Sequence, residues 1–207
     1  MKVPPFENLE NTESIPAEPL PVFRQWLADA ERSEPIDHNA MSLATAGRDG
    51  RPTLRMVLLK GLDERGFVFY TNRESRKGEN LATNPNAALC FYWKSLGRQV
   101  RIEGPVEPVE KTEADAYYAS RGRGSRLGAW ASRQSRPLDS RKTLAEKVAA
   151  LDKEYGPHDD IPRPAHWGGY RVRPERIEFW HEGLDRLHTR VVYTRDGDGW
   201  KREMLYP

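Results

Sequence analysis

Apolar positions along this chain alternate between two periods. From Leu20 to Arg32 the residues Leu20, Phe23, Trp26, Leu27 and Ala30 recur at helical spacing, and Pro35 ends the run. Helical patterns return at Ser75–Thr83, closed by Asn84-Pro85, at Lys111–Ser120 and at Arg141–Tyr155, with room for a short helix over Gly124–Arg133. Elsewhere the period falls to two. Strands are predicted over Ala40–Ala46, Pro52–Leu62, Gly66–Asn72, Ala87–Trp93, Arg98–Val109, Tyr170–Trp180, Arg186–Arg195 and Gly199–Leu205. Gly47–Gly50 reads as a turn, and Asp196-Gly197-Asp198-Gly199 as the tip of a hairpin. Gly156–Pro164 is a proline-rich loop. Many antiparallel strands with a few helices predict an α+β protein built on a barrel. Residues 1–17 read as a mobile arm, and 18–207 as a single domain.

Composition narrows the class. The chain has 207 residues, enough to bury a substantial core without staples. Charged residues reach 31% against 37% apolar, yet six Trp, eight Tyr and six Phe argue against disorder. A net charge of +2, with basic residues scattered, excludes a nucleic-acid partner from the expectations. No apolar run approaches the roughly 20 residues of a membrane span, and Met1–Pro21 lacks the apolar stretch of a signal peptide. The lone Cys90 sits in an apolar run and is expected to be buried. One thiol makes no intrachain disulfide, which suits a reducing cytoplasm. No metal-ligand spacing occurs among His158, His166, His181 and the rest, so no catalytic metal is expected.

Several groups suggest anion chemistry, each with a plainer alternative. In a strand, Arg186, His188 and Arg190 would share one face, roughly 6.6–6.8 Å apart; such a row either meets an anion or is a solvated basic face. Ser75 is a good N-cap, and Arg76 and Lys77 then fall in a first helical turn, where the helix dipole disfavours cations. Phosphate or a solvent-screened mismatch accounts for that equally simply. Alternation puts Arg55 and Lys60 on opposite faces unless a bulge intervenes, so they should serve different groups or guard strand ends. Gln99 and Arg101 share a face; Gln99 suits a heterocycle edge or a polar sheet surface. Tyr117, Arg121 and Ser125 lie four apart and are chemically suited to phosphate, although Gly122 and Gly124 break a single helix.

Taken together, the runs Arg55-Met-Val-Leu-Leu-Lys60, Phe67-Val-Phe-Tyr-Thr-Asn72, Ser75-Arg-Lys-Gly78, Arg98-Gln-Val100, Gly128-Ala-Trp-Ala-Ser-Arg-Gln-Ser135, His166-Trp-Gly-Gly-Tyr-Arg-Val172, Ile177-Glu-Phe-Trp180 and Arg186-Leu-His188 resemble the pyridoxamine 5′-phosphate oxidase family. The resemblance extends from about Phe23 to Pro207. It implies an FMN-binding split β-barrel, mostly antiparallel with flanking helices, working as a homodimer with FMN at the interface. It implies FMN contacts from the strand Arg55, Met56, Val57, Leu58 and Lys60, and from Tyr70, Thr71, Arg76, Lys77 and Gln99. Gln134, Ser135, Trp180 and Arg190 match FMN contacts donated by the partner subunit. Lys60, Tyr117, Arg121 and Ser125 match the substrate-phosphate site, and Arg186 and His188 match catalytic residues over the substrate ring.

The implied activity is oxidation of pyridoxamine or pyridoxine 5′-phosphate to pyridoxal 5′-phosphate, with O2 reduced to H2O2. Departures from the family pattern fall on the substrate side. Arg73 replaces an aromatic, His181-Glu182-Gly183-Leu184-Asp185 replaces the usual run, and Thr189 and Met204 stand for Asp and Arg. The arm lacks an Arg/Tyr-bearing segment that covers substrate in some members. Asp185 is expected to pair with Arg186 and weaken its hold. Two rivals follow: a related oxidase of the phenazine-biosynthesis type, and a non-catalytic flavin or pyridoxal-phosphate binding module.

Overall fold

A computed structural model describes residues 6, 9, 11–157 and 160–207; His158 lies outside them. The α1 helix (Pro19–Ser33) begins at a proline, whose fixed φ and missing N–H suit a first helical position. It turns Leu20, Phe23, Trp26 and Ala30 inward, as its spacing predicts. The strands are β1 (Ala40–Ala46), β2 (Pro52–Leu58), β3 (Gly61–Asp63), β4 (Gly66–Asn72), β5 (Asn86–Trp93), β6 (Arg98–Pro108), β7 (Trp167–Val172), β8 (Arg176–His181), β9 (Thr189–Asp196) and β10 (Gly199–Leu205). Between β4 and β5 lies α2 (Arg76–Thr83); α3 (Lys111–Ala119), α4 (Arg123–Ala131) and α5 (Arg141–Tyr155) fill the interval between β6 and β7.

All strand pairs are antiparallel, in the order β10-β9-β8-β6-β5-β1-β2, with β4 joining β3 to β7 and β7 returning to β6. The long β6 makes the curl. Its first part, Arg98–Glu103, pairs with β8, and its last residues, Val106–Pro108, pair with β7. The result is the expected α+β split barrel. Its interior holds Phe23, Phe67, Phe91 and Trp93, with Phe23 edge-on to Phe67 at 4.9 Å and to Phe91 at 5.1 Å. Arg171, 2% exposed on β7, donates to Asp63 and Glu113 and so ties α3 to the barrel.

Three predicted strands are corrected. Pro52–Leu62 is two strands, because the chain swings after Leu58 and the Lys60 N–H bonds the Val68 carbonyl on another strand. Tyr170–Trp180 is also two, parted at Pro174, which has no N–H for a ladder. Arg186–Arg195 begins only at Thr189; Leu184–Arg186 is a 3-10 turn in which Asp185 and Arg186 take φ of 50° and 65°. Cys90 is half-buried and outside the core. Of the described arm residues, Phe6 and Ile15 are buried, and Phe6 packs on Trp26 and Phe179. Among the described residues no helix is long and apolar enough to cross a membrane, and no cluster of His, Cys, Asp and Glu is arranged for a metal ion.

Candidate active site

One cavity of about 850 Å³ opens between the edge strand β2, the end of β4, α2 and the α3–α4 pair. Its wall includes Arg55, Met56, Val57, Leu58, Lys60, Tyr70, Thr71, Arg76 and Lys77. Tyr117, Arg121, Ser125, Gln134 and Ser135 complete it from the helical side. Five of these side chains are cationic, and among the described residues no acidic one lines the cavity. The opposite-face expectation for Arg55 and Lys60 fails, because the break after Leu58 brings both to the same space. The break between α3 and α4 likewise leaves Tyr117, Arg121 and Ser125 converging from separate helices and their junction.

Two cations of this wall, Arg55 and Lys77, are held by neutral groups. The Arg55 guanidinium donates to the Leu43 carbonyl at 3.0 Å, to Thr45 Oγ1 at 2.8 Å and to Thr53 Oγ1. Burial, and then the charge of Arg76, push its pKa down. Lys77 is 7% exposed, and its Nζ donates to Thr71 Oγ1 (3.1 Å), Ser75 Oγ (3.0 Å) and Gln134 Oε1 (2.9 Å). Burial, assisted by Arg55, lowers its pKa from 10.5 to about 8. Ser75 holds the N-cap position of α2, but its hydroxyl donates backward to the Asn72 carbonyl, so no side chain caps the helix N–H groups. An uncapped helix start flanked by unneutralised cations is an anion receptor.

Deeper in the wall, Tyr70 stacks on Tyr117 at 3.9 Å and on Trp167 at 5.5 Å. Burial, then Glu113, raise the Tyr70 pKa to about 12, so it remains a phenol. The Arg121 guanidinium lies 4.7 Å over the Trp167 ring, and its Nη1 is buried without a hydrogen-bond partner. Burial lowers its pKa as well. A buried unpaired guanidinium nitrogen is costly unless a ligand oxygen meets it.

Gln99, Trp180, Arg186, His188 and Arg190 lie elsewhere on the chain, away from this cavity. Gln99 sits opposite Trp180, and Trp180 opposite Arg190, across β6, β8 and β9. The His188 ring is 4.5 Å from that of Trp180, and its Nδ1 accepts the Gly183 N–H at 3.2 Å. The expected basic row on one strand face does not form, since Arg186 and His188 precede β9. Asp185 makes no ion pair with Arg186 in the structure. The register puts Leu54 and Met56 of β2, Tyr92 of β5, Gln99 and Trp180 on one outer sheet face. Leu54, Met56 and Tyr92 are 68%, 62% and 59% exposed there.

A family model described as pyridoxamine 5′-phosphate oxidase matches residues 27–154, and one described as pyridoxine 5′-phosphate oxidase C-terminal dimerisation region matches 167–207. The chain belongs to the pyridoxamine 5′-phosphate oxidase family. A pyridoxine/pyridoxamine 5′-phosphate oxidase of Gluconobacter oxydans (strain 621H) is 62% identical over 193 residues, covering 93% of this chain and 96% of that one. One from Brucella canis is 59% identical over 194 residues, covering 92% and 95%. Among solved structures, PhzG from Burkholderia lata 383, in complex with tetrahydrophenazine-1-carboxylic acid, superposes with a TM-score of 0.88 at 35% identity, covering 97% and 98%. An FMN-binding protein of Nostoc punctiforme shares the fold, with a TM-score of 0.74 at 17% identity, covering 93% and 100%.

Within this family fold the two clusters divide by region. The cavity belongs mainly to the larger matched region, and Trp180, Arg186, His188 and Arg190 to the dimerisation region. Gln134 and Ser135, expected from a partner subunit, line the cavity of their own chain. The segment after α4 folds back over α2, where Arg136 meets Glu79 and the Glu74 carbonyl and Gln134 meets Lys77. Thr53, Asn72, Ser132 and Trp167 also line the cavity and escaped the residue-by-residue reading. Asn72, Ser132 and Trp167 had a signal, as members of the Phe67–Asn72, Gly128–Ser135 and His166–Val172 runs. Thr53 points to the site solely because Arg55 reaches back along its own strand.

Proposed function

We propose that the protein is an FMN-dependent oxidase that converts pyridoxamine or pyridoxine 5′-phosphate to pyridoxal 5′-phosphate, O2 being reduced to H2O2. One observation carries this reading: a single cavity holds two groups of phosphate donors and no acid. Arg55, Arg76, Lys77 and the uncapped α2 start form the first. Lys60, Tyr117, Arg121 and Ser125, with an orphaned guanidinium nitrogen, form the second. The first suits the FMN phosphate and the second the phosphate of the substrate. Tyr70, Thr71, Gln134 and Ser135 add hydrogen-bonding groups beside the first, and the Met56–Leu58 backbone borders it.

The remaining residues complete the site from a second copy of the chain. The outer sheet face with exposed Leu54, Met56 and Tyr92 begins at the cavity rim and runs to Trp180 and Arg190. Burying such a face in a homodimer brings one subunit's Gln99, Trp180, Arg186, His188 and Arg190 toward its partner's cavity. FMN held by these residues would supply the two-electron redox chemistry between the substrate and dioxygen. Lys60, Tyr117, Arg121 and Ser125 anchor the substrate phosphate and so fix its ring, and orientation of this kind lowers the barrier by several kcal/mol. Arg186 orients the ring from the partner side. His188, with Nδ1 occupied by the Gly183 N–H, presents Nε2 to the substrate. Water hydrolyses the imine that an amine substrate leaves. The lone half-buried thiol fits a reducing cytoplasm.

The likeness to PhzG supports a second reading, an FMN oxidase of a phenazine precursor. Donors grouped for a second phosphate favour the first. Reconstitution with FMN followed by oxygen-electrode traces separates them. Uptake is expected with pyridoxamine 5′-phosphate and little with unphosphorylated pyridoxamine. Tight FMN binding with no uptake on the phosphorylated vitamers would discard the substrate assignment, and turnover of tetrahydrophenazine-1-carboxylic acid alone would establish the second reading.

A further inference from the structure

We propose that Glu178 is a positioning residue, locking the Arg190 guanidinium in the orientation from which it holds FMN across the subunit interface. The inference rests on the reading of Arg190 given above and adds a residue to it. Glu178 is 2% exposed although it points to the outer sheet face, away from the barrel interior. Its Oε1 accepts from Arg190 Nε at 2.9 Å and lies 2.8 Å from Nη2. The Tyr206 carbonyl takes Arg190 Nη1 at 2.9 Å. The guanidinium is therefore fixed on two sides, and each terminal nitrogen keeps an N–H with no partner among the described residues, available to a ligand.

The surroundings of the carboxylate suit this role. Arg101 and Arg176 each place a nitrogen 3.4 Å from Oε2, so three arginines share one buried carboxylate. Glu103 faces Arg101 at 3.0 Å and Arg176 at 3.7 Å, which leaves the cluster net positive. Without Glu178 the three cations repel, and Arg190 has only a backbone carbonyl to hold it. An arginine already immobilised loses little side-chain freedom when it binds, and its planar fork carries the geometry to the ligand. Every Glu178 oxygen is engaged by arginine, so its influence on FMN passes through Arg190.

A role through charge alone has the opposite sign. Removing a negative charge near a phosphorylated ligand should tighten binding, whereas releasing Arg190 should weaken it. The test is FMN affinity of the full chain, read by quenching of flavin fluorescence, with the visible circular dichroism of bound FMN as a second readout. Arg190→Ala is expected to weaken binding roughly tenfold, the scale of one charge-assisted hydrogen bond. Glu178→Gln should weaken it several-fold and alter the flavin dichroism, and the double variant should bind no worse than Arg190→Ala alone. Glu178→Asp, which keeps the charge but shortens the reach, should resemble Glu178→Gln and decides the matter if the latter does not fold. Unchanged or tighter binding in either Glu178 variant, or penalties that multiply in the double variant, overturns the inference while leaving Arg190 in place. No loss in Arg190→Ala overturns the placement of Arg190 on FMN, and this inference with it.

Discussion

Lys77 shows how far a single side chain is shaped by its setting. Its ammonium is buried among neutral oxygens beside another cation, so the folded apoprotein gives up this proton at about pH 8, against 10.5 for a free lysine. Between those values the unfolded chain holds the extra proton, so stability should rise with pH across that window; below pH 8 the burial penalty is present in full. Urea melts of the apoprotein should show this rise with a slope of at most ~1.4 kcal/mol per pH unit, and Lys77→Met should remove it. A phosphate placed on Lys77 favours the charged form, so FMN affinity should fall as pH rises above about 8 in the parent and lose that dependence in the variant. Arg121 makes a different prediction. Its Nη1 is buried and unpaired in the cavity wall, so Arg121→Met should raise KM for pyridoxamine 5′-phosphate by roughly 10–100-fold, the scale of a lost hydrogen bond to a charged group. The FMN dissociation constant, measured separately, should stay within about twofold, because Arg121 is proposed to serve the other phosphate.

Two short elements carry most of the local constraint. At the start of α2, a Cβ on Gly78 would lie 1.9 Å from the Arg73 carbonyl oxygen, so glycine alone lets the helix sit close enough to offer its N–H groups to the cavity. The 183–188 turn is similarly tight. A Cβ on Gly183 would fall 2.0 Å from the Leu187 carbonyl oxygen, and Asp185 and Arg186 both take positive φ. Such strain persists where the surrounding structure demands it, here at the residues expected over the substrate. What distinguishes the divergent run His181–Asp185 in the structure is this backbone shape, with no ion pair between Asp185 and Arg186. Asp185→Asn, which tolerates left-handed backbone equally well, should leave kcat/KM for pyridoxamine 5′-phosphate within about twofold in steady-state assays; a large gain would restore the view that Asp185 restrains Arg186.

At the scale of the whole molecule, the proposed site is divided between a cavity and a remote face of the same chain, and on that reading a symmetric pair closes it. Subunit exchange tests this. An Arg121→Ala homodimer and an Arg186→Ala homodimer should each be nearly inactive. After exchange, half the dimers are hybrids with one intact site each, so activity should recover to about a quarter of the parent value. No recovery after proven exchange would place both halves in one subunit. The alternating apolar pattern, the glycine-marked turns and the proline stops made most helices and strands readable in advance, because those signals are local. The cations that the structure gathers in the cavity were readable as candidates too, since Arg55, Lys77 and Arg121 keep their charge wherever the chain places them. Three-dimensional packing settled the rest. Swings at Leu58 and Pro174 broke predicted strands, a fold-back set Gln134 on Lys77 of the same chain, and sheet register buried Glu178 beneath three arginines. Those outcomes depend on contacts between residues far apart in sequence, and no periodicity within a window of ten residues encodes which distant strand will supply the neighbour.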